Sequence, residues 1–370
     1  MFFYVMISLD GDYLEGGGSI VRVALALSTI TQKPFEITSI RKGRPDPGLK
    51  NQHLFCIKAL EQLCNAKSEG AHLGSTSLKY VPGKIEGKTI SVDIQTAGSI
   101  PLFLQAVILP SIFADKKLKL DITGGTDGKW AAPIDYFNEI FLPQIRKYAD
   151  IEIKLIKRGY YPKGNGKVEI KINPKYKISD FNNFEEFHKN LKENAPKFNL
   201  TEQGHLMQIK GISHASSNLK EAKVSERQAS SAELLLKRRY SIPININSEY
   251  QNTLSTGSGI TLWAIFSKNR NDINENNPIR LGADALGEQG KKAEVVGNEA
   301  ASNLVMEIES GAAVDSHLAD QLIPFMGLLP GSGMLVPEVS KHTLTNIYVV
   351  EKFLPVKFMV EGNKISVADR

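Results

Sequence analysis

Apolar and polar positions alternate along this chain at two spacings, helical and strand-like, and the order in which they alternate repeats. Ser19 to Ile30 carries Ile20, Val23, Ala24, Leu27 and Ile30 at helical intervals, which predicts a helix with one buried face. Phe35 to Ile40 alternates apolar and polar residues and predicts a strand. Asn51 to Leu63 predicts a second helix. Ser77 to Val81 and Thr89 to Ile94 predict a hairpin turned by Pro82-Gly83 and Gly87. The same order returns with a helix over Ile100 to Phe113, a strand over Leu118 to Thr123, a helix over Pro133 to Tyr148, and a hairpin of Ile151 to Ile156 with Lys167 to Ile172. It returns again with Ser316 to Leu328, Met334 to Val339, Thr343 to Phe353, and a hairpin of Val356 to Val360 with Lys364 to Ala368. Met1 to Leu9 reads as a first strand, since it lacks the basic flank and cleavage site of a signal peptide.

Between the second and third copies the character changes. Asn173 to Lys197 is polar. A strand (Leu206 to Ser213), a helix (Leu219 to Lys237) and two strands (Pro243 to Ser248, Gly259 to Phe266) follow. Lys268 to Pro278 is polar again, and Lys291 to Glu309 predicts a long helix that returns to the main body. The pattern predicts an α/β (α+β) fold. A large domain of three repeated helix-strand-helix-hairpin units would cover residues 1–178 and 278–370, with a smaller α/β domain, 179–277, inserted before the third repeat.

Composition narrows the class without naming a function. With 370 residues, 42% hydrophobic and 23% charged, the chain is neither disordered nor a disulfide scaffold. Cys56 and Cys64 lie in one predicted helix at a spacing that makes neither a redox pair nor a zinc site, which points to reduced thiols in a cytoplasmic protein. The apolar run Ile100 to Phe113 is too short to span a bilayer, so no membrane partner is expected. A net charge of +5 permits a nucleic-acid partner without demanding one.

Candidate chemistry gathers at predicted helix starts, where free N–H groups receive anions. Glu15-Gly16-Gly17-Gly18 precedes the first helix, but it has neither the Lys-Ser/Thr of a P-loop nor GxGxxG spacing. Glu15 suits either a helix-start carboxylate or a ligand to a divalent metal. Arg41, Lys42 and Arg44 precede Gln52, in a turn stiffened by Pro45 and Pro47, and read as solvated surface or as a phosphate clamp. Gly124-Gly125-Thr126-Asp127 precedes another helix, and His317 and Asp320 open a third. None of the seven histidines has metal-site spacing. His342, directly after a strand and before a helix, reads either as an ordinary surface histidine or as an imidazole poised over an anion site, where the neutral ring can attack phosphorus.

These segments together resemble the RNA 3'-terminal phosphate cyclases. The matching stretches are Leu9-Asp10-Gly11 with Glu15 to Arg22, Ile40 to His53, Gly124 to Asp127, Gly159 to Gly166, His317 to Leu322, and His342-Thr343-Leu344-Thr345-Asn346-Ile347. The resemblance implies three related α/β units with a small inserted domain. It also implies a ligase that uses ATP to turn an RNA 3'-phosphate into a 2',3'-cyclic phosphate. It assigns His342 as the nucleophile that carries AMP, and Glu15 as a carboxylate linked to a divalent metal, Mg or Mn. Arg22, Arg41, Arg44 and Gln52 fall at positions for catalysis or RNA 3'-phosphate binding. Gln105, His317, Leu318, Ala319, Asp320 and Gln321 fall on the ATP-binding stretches, with His317 replacing the tyrosine common in the family. The rival implied by the resemblance is a non-catalytic relative in ribosomal RNA processing, which lacks the histidine. Related enolpyruvyl transferases lack the insert and the His-Thr-Leu-Thr-Asn motif. A general RNA-binding module would need a denser basic or aromatic stripe.

Overall fold

The computed structural model describes residues 6–129, 131–270 and 274–370. Met1 to Val5 of the expected first strand lie outside the described residues. Four four-stranded mixed sheets and the helices packed on them make a mixed α/β molecule. The first sheet has the order β1 (Ile7–Asp10), β2 (Phe35–Thr38), β4 (Leu78–Val81), β3 (Lys67–Glu69). The second has the order β5 (Thr89–Asp93), β6 (Leu118–Gly124), β8 (Gly166–Pro174), β7 (Ala149–Lys157). The third joins β9 (Asn199–Leu200), β14 (Gly333–Leu335), β16 (Lys364–Asp369) and β15 (Val356–Glu361). In each of these three, one parallel pair is followed by two antiparallel pairs.

The expected hairpin of Ser77–Val81 with Thr89–Ile94 does not form. β4 pairs with β2 and with β3, a short strand the pattern did not reveal, while β5 crosses to the second sheet and runs parallel to β6. The Pro82–Gly87 segment is therefore a crossing between sheets rather than a turn within one. Gly83 makes this possible by lying against the Cys64 carbonyl, where a Cβ would collide.

α1 (Ser19–Thr31) also departs from expectation. All thirteen of its residues are buried, not one face only. α2 (Asn51–Cys64), α3 (Ile100–Ser111) and α10 (Lys341–Phe353) pack around it, so its polar residues are enclosed too, and Ser28, Thr29 and Thr31 turn their hydroxyls to the carbonyls of Lys33, Leu25 and Leu27. Its N-terminus, bearing the glycine triplet, opens beside the exposed loop of Tyr13 and Leu14.

The helix expected over Pro133–Tyr148 forms as α4 (Ile134–Tyr136), a π turn (Phe137–Phe141) and α5 (Leu142–Ile145). Pro143 has no N–H to give to the Glu139 carbonyl four residues back, and the Arg280 side chain donates to it instead at 2.6 Å.

A second core has its own sheet, β11 (Ile244–Gln251), β10 (His205–Ser216), β12 (Ser258–Ser267) and β13 (Ile279–Leu286), covered by α7 (Val224–Arg239) and α8 (Ala293–Glu309). α8 was expected to return to the main body. Its Val296, Ala300, Ala301, Leu304 and Ile308 instead fill the second core, against α7. Conversely, α6 (Phe184–Asn194), inside a stretch that reads as polar, buries Phe184, Phe187 and Leu191 in the larger core. Phe184, Phe187 and Leu191 stand at helical spacing behind the cap Asn183, so the signal is present locally and is masked only by the polar composition around it. Among the described residues no helix is long and apolar enough to cross a membrane.

Candidate functional site

The loop after β1 lies on α10 and brings the first and the last motif segments together. Tyr13 stacks on Tyr348 with ring centroids 4.0 Å apart, Asp10 N donates to Tyr348 Oη at 3.2 Å, and Glu15 N donates to Thr345 Oγ1 at 3.4 Å. Gly16 adopts a left-handed φ of 58°, which lets the chain turn sharply into α1. Glu15 then reaches His342: its Oε2 lies 3.7 Å from His342 Nδ1. His342 is the second residue of α10, whose cap Ser340 accepts the Thr343 N–H at 3.1 Å. The imidazole projects from the helix start with 53% of its side chain exposed.

The basic turn closes over the same loop. Gly43 N donates to Asp12 Oδ1 at 3.0 Å. Arg44 forms an ion pair with the Glu15 carboxylate and also donates to the Glu15 carbonyl at 3.2 Å. Arg41 behaves differently. Its backbone is left-handed (φ 54°), and its guanidinium is committed to its own turn, donating to the carbonyls of Asp46 (2.9 Å) and Gly48 (3.2 Å). Gln52 stands half-buried in the first turn of α2, with no side-chain hydrogen bond among the described residues.

Arg22 lies one turn inside α1, nearly buried, and its Nε donates to Gln105 Oε1 of α3 at 3.0 Å. Burial lowers the Arg22 pKa, opposed by the nearby Cys56 and Asp320. Asp320 sits in α9 (Ser316–Gly327). Burial pushes its carboxyl up to about 6, against the pull of His342, His317 and Arg22. Pro324, inside the same helix, cannot donate to the Asp320 carbonyl, and the amide of Asn346 on α10 does so at 2.9 Å. The proline thus couples the two helices that carry the site. It also fixes the Asn346 amide, leaving Asn346 Oδ1 buried without a donor. Gln105, Asp320, Gln321 and Asn346 line one small cleft with Phe141 and Phe325 on its apolar side.

His317 is exposed on α9, edge-on to Tyr136 with centroids 5.9 Å apart. Leu318 and Ala319 face the core, and their N–H groups are taken by Asp315, the buried cap of α9. Asp315 also accepts from Tyr136 Oη at 2.5 Å and Gly282 N at 2.8 Å.

Gly124-Gly125-Thr126-Asp127 serves a second ionic group, separate from His342. Asp127, Asp135 and His214 present ligand atoms within 4.8 Å of one another, all buried. Arg158 already supplies the cation there. Its guanidinium lies 2.7 Å from Asp135, 2.7 Å from Glu249 and 3.4 Å from Asp127. Burial opposes ionisation of both partners, but Asp135 and Asp127 hold the Arg158 pKa above its usual value, and His214 and Arg158 hold Asp127 below the usual carboxylate range. Tyr160 Oη and His214 Nδ1 share a hydrogen bond of 2.7 Å, and His214 Nε2 faces Asp127 at 3.2 Å. This group joins β10 and β11 of the second core to the loops of the second sheet. The sequence reading overlooked it: His214 and Arg158 fall in no local motif, and only strand pairing brings them together. It also gave no role to His53 of α2, which is fully buried against Gly18.

Residues 13–360 match the family model described as RNA 3'-terminal phosphate cyclase. An RNA 3'-terminal phosphate cyclase of Pyrococcus furiosus is 44% identical over 358 residues, covering 96% of each chain. The one from Archaeoglobus fulgidus is 42% identical over 363 residues, covering 97% of this chain and 99% of its own. That of Methanosarcina acetivorans is 43% identical over 365 residues, covering 96% and 97%. With the match spanning both cores and every segment of the site, the chain belongs to the RNA 3'-terminal phosphate cyclase family.

Proposed function

We propose that this protein uses ATP to convert the 3'-phosphate of an RNA into a 2',3'-cyclic phosphate, and that His342 carries AMP in the first step. The observation that carries this reading is the placement of His342: half exposed at the start of α10, with Nδ1 turned toward Glu15. A carboxylate at Nδ1 favours the tautomer protonated there, which leaves the Nε2 lone pair free to attack the α-phosphorus of ATP, breaking the bond to the β-phosphate and releasing pyrophosphate; an oxygen of the RNA 3'-phosphate then displaces the imidazole from the AMP phosphorus. Gln105, Asp320, Gln321 and Asn346, beside Phe141 and Phe325, offer the adenosine polar groups and an apolar wall, but the cleft they line is only water-sized and has to widen to admit it.

Arg22 and Arg44 supply positive charge where phosphoryl oxygens would gather. Glu15 Oε2 is buried with no hydrogen-bond partner, so it has a lone pair to offer a hard cation such as Mg or Mn. A metal held there would neutralise phosphate charge. Once AMP is on the RNA 3'-phosphate, the adjacent 2'-hydroxyl displaces it and closes the ring, helped by its fixed proximity.

The same strand order in three sheets supports a reading of the fold as three related units. The packing of β13 and α8 favours an insert of about residues 205–309, later than the sequence pattern suggests. The non-catalytic alternative lacks support here, because His342, Glu15 and Arg22 are all in place.

The test is incubation of wild type and His342→Ala with ATP labelled at the α-phosphate and a divalent metal, followed by a denaturing gel. Label on wild type alone is the expected result. Label retained by the variant overturns the assignment of the nucleophile, and a folded wild type that takes no label overturns the enzymatic reading.

A further inference from the structure

α1 begins without a cap. Gly18 at its N-terminus offers no side chain, its first turn has no acidic residue, and the N–H groups of Ser19, Ile20 and Val21 have no acceptor among the described residues. Such an end carries partial positive charge and is normally answered by a cap, water or an anion. α9 and α10 meet the same need with Asp315 and Ser340.

Two side chains around this end are buried with an unpartnered polar atom, His53 Nε2 and Ser19 Oγ, and Arg22 stands beside them. His53 is fully buried, and its Nδ1 accepts the Lys50 N–H at 2.9 Å. That bond places the ring proton on Nε2, which is buried and has no partner. Nε2 points at Gly18: a Cβ there would collide with it and would lie 3.0 Å from Arg22 Nη1. Ser19 Oγ is likewise buried with no partner. Arg22 spends Nε on Gln105 and turns Nη1 toward Gly18. Burial and the charges of Arg22, Arg41 and Lys50 drive the His53 pKa down to about 3, so the ring stays a neutral donor. Glu15, the nearest carboxylate to the glycine triplet, is paired with Arg44.

A buried group of donors with no acceptor is costly unless something supplies one. We propose that the N-terminus of α1, Ser19 Oγ, His53 Nε2 and Arg22 together seat a phosphoryl group, with His53 as an uncharged donor to one of its oxygens. The choice of phosphate over other anions rests on the function proposed above. The phosphate has two possible sources, the RNA 3'-end and the triphosphate of ATP. Gly18 is required because a side chain there would displace both His53 and Arg22.

The test uses inorganic phosphate and pyrophosphate as probes, titrated calorimetrically into wild type, His53→Gln and His53→Leu. Glutamine can place an N–H near the position of Nε2, and leucine cannot. Wild type and His53→Gln should bind comparably, while His53→Leu should bind about tenfold to a hundredfold more weakly, as for a lost hydrogen bond to a charged group. Nitrogen NMR of the histidines should show His53 protonated at Nε2, with that signal moving on phosphate addition. If His53→Leu does not fold, Ser19→Ala takes its place, with a smaller loss in the same direction. Equal affinity in all variants, a parallel loss of binding and melting temperature in both His53 variants, or an unmoved Nε2 signal overturns the seat.

Activity separates the sources. A His53→Leu defect confined to self-adenylylation assigns the ATP phosphates, and one confined to AMP transfer assigns the RNA end. The phosphate titration needs neither ATP nor RNA. A seat that binds in a protein that never takes up AMP would count against the proposed function alone. A seat that fails in an active enzyme would count against this inference alone.

Discussion

Glu15, Arg44 and His342 form one ionic group, and Asp127, Asp135, Arg158, His214 and Glu249 form another from the same kinds of residue. In the first, the imidazole is half exposed, Arg44 is 41% exposed, and Glu15 Oε2 has no hydrogen bond. In the second, the Arg158 side chain is 1% exposed and meets three carboxylates. The open group leaves lone pairs and donors free for a substrate, at some cost to stability. The closed group pairs its charges internally and links the two cores, although Asp135 Oδ2 and His214 Nε2 meet their partners as ion pairs without a hydrogen bond. Partnering, not residue type, separates chemistry from architecture here.

Arg158→Met breaks the closed group most severely. Three carboxylates would be left without their cation, and the loss in unfolding free energy should be about 3–5 kcal/mol, read by urea denaturation. A loss under about 1 kcal/mol would mean that the group is not what holds the second core in place. The corresponding change in the open group, Arg44→Ala, should barely move the urea midpoint. It should instead slow AMP transfer to RNA by about tenfold, through the lost charge-assisted bonds, and slow self-adenylylation less. Equal slowing of both steps would assign Arg44 to the nucleotide alone.

The smallest effect concerns Asp320, buried near His342 and Arg22. Burial raises its carboxyl from 3.8 to about 6, so the folded chain keeps a proton that the unfolded chain has lost. The stability this contributes is complete below the ordinary value of 3.8 and is lost as pH rises through 6. Asp320→Asn should flatten the fall in melting temperature between pH 4 and 7 by a few degrees at most. An unchanged slope would mean that Asp320 is ionised throughout.

Much of the site is legible in the chain because its residues stand in short segments. Glu15 with the glycine triplet, Arg44, and His342 with Asn346 are each a few residues long, and helix starts expose such groups wherever the chain folds. Long-range pairing was not legible. The Thr89 strand was read as half of a hairpin because its neighbour in sequence was also a strand, whereas β6 offered the better partner. α8 was assigned to the wrong core because an amphipathic stripe says that a helix packs, not against what.

The sequence by itself determined the family, the helices that bear the site and the residues at their starts, since these depend on local spacing and motif. Only the tertiary structure decided that Arg41 spends its guanidinium on its own turn, that Asn346 answers the carbonyl freed by Pro324, and that His53 lies beneath Gly18. Each depends on which donor meets which acceptor across elements distant in sequence. No local pattern encodes that meeting, because it is settled by how whole helices and sheets pack.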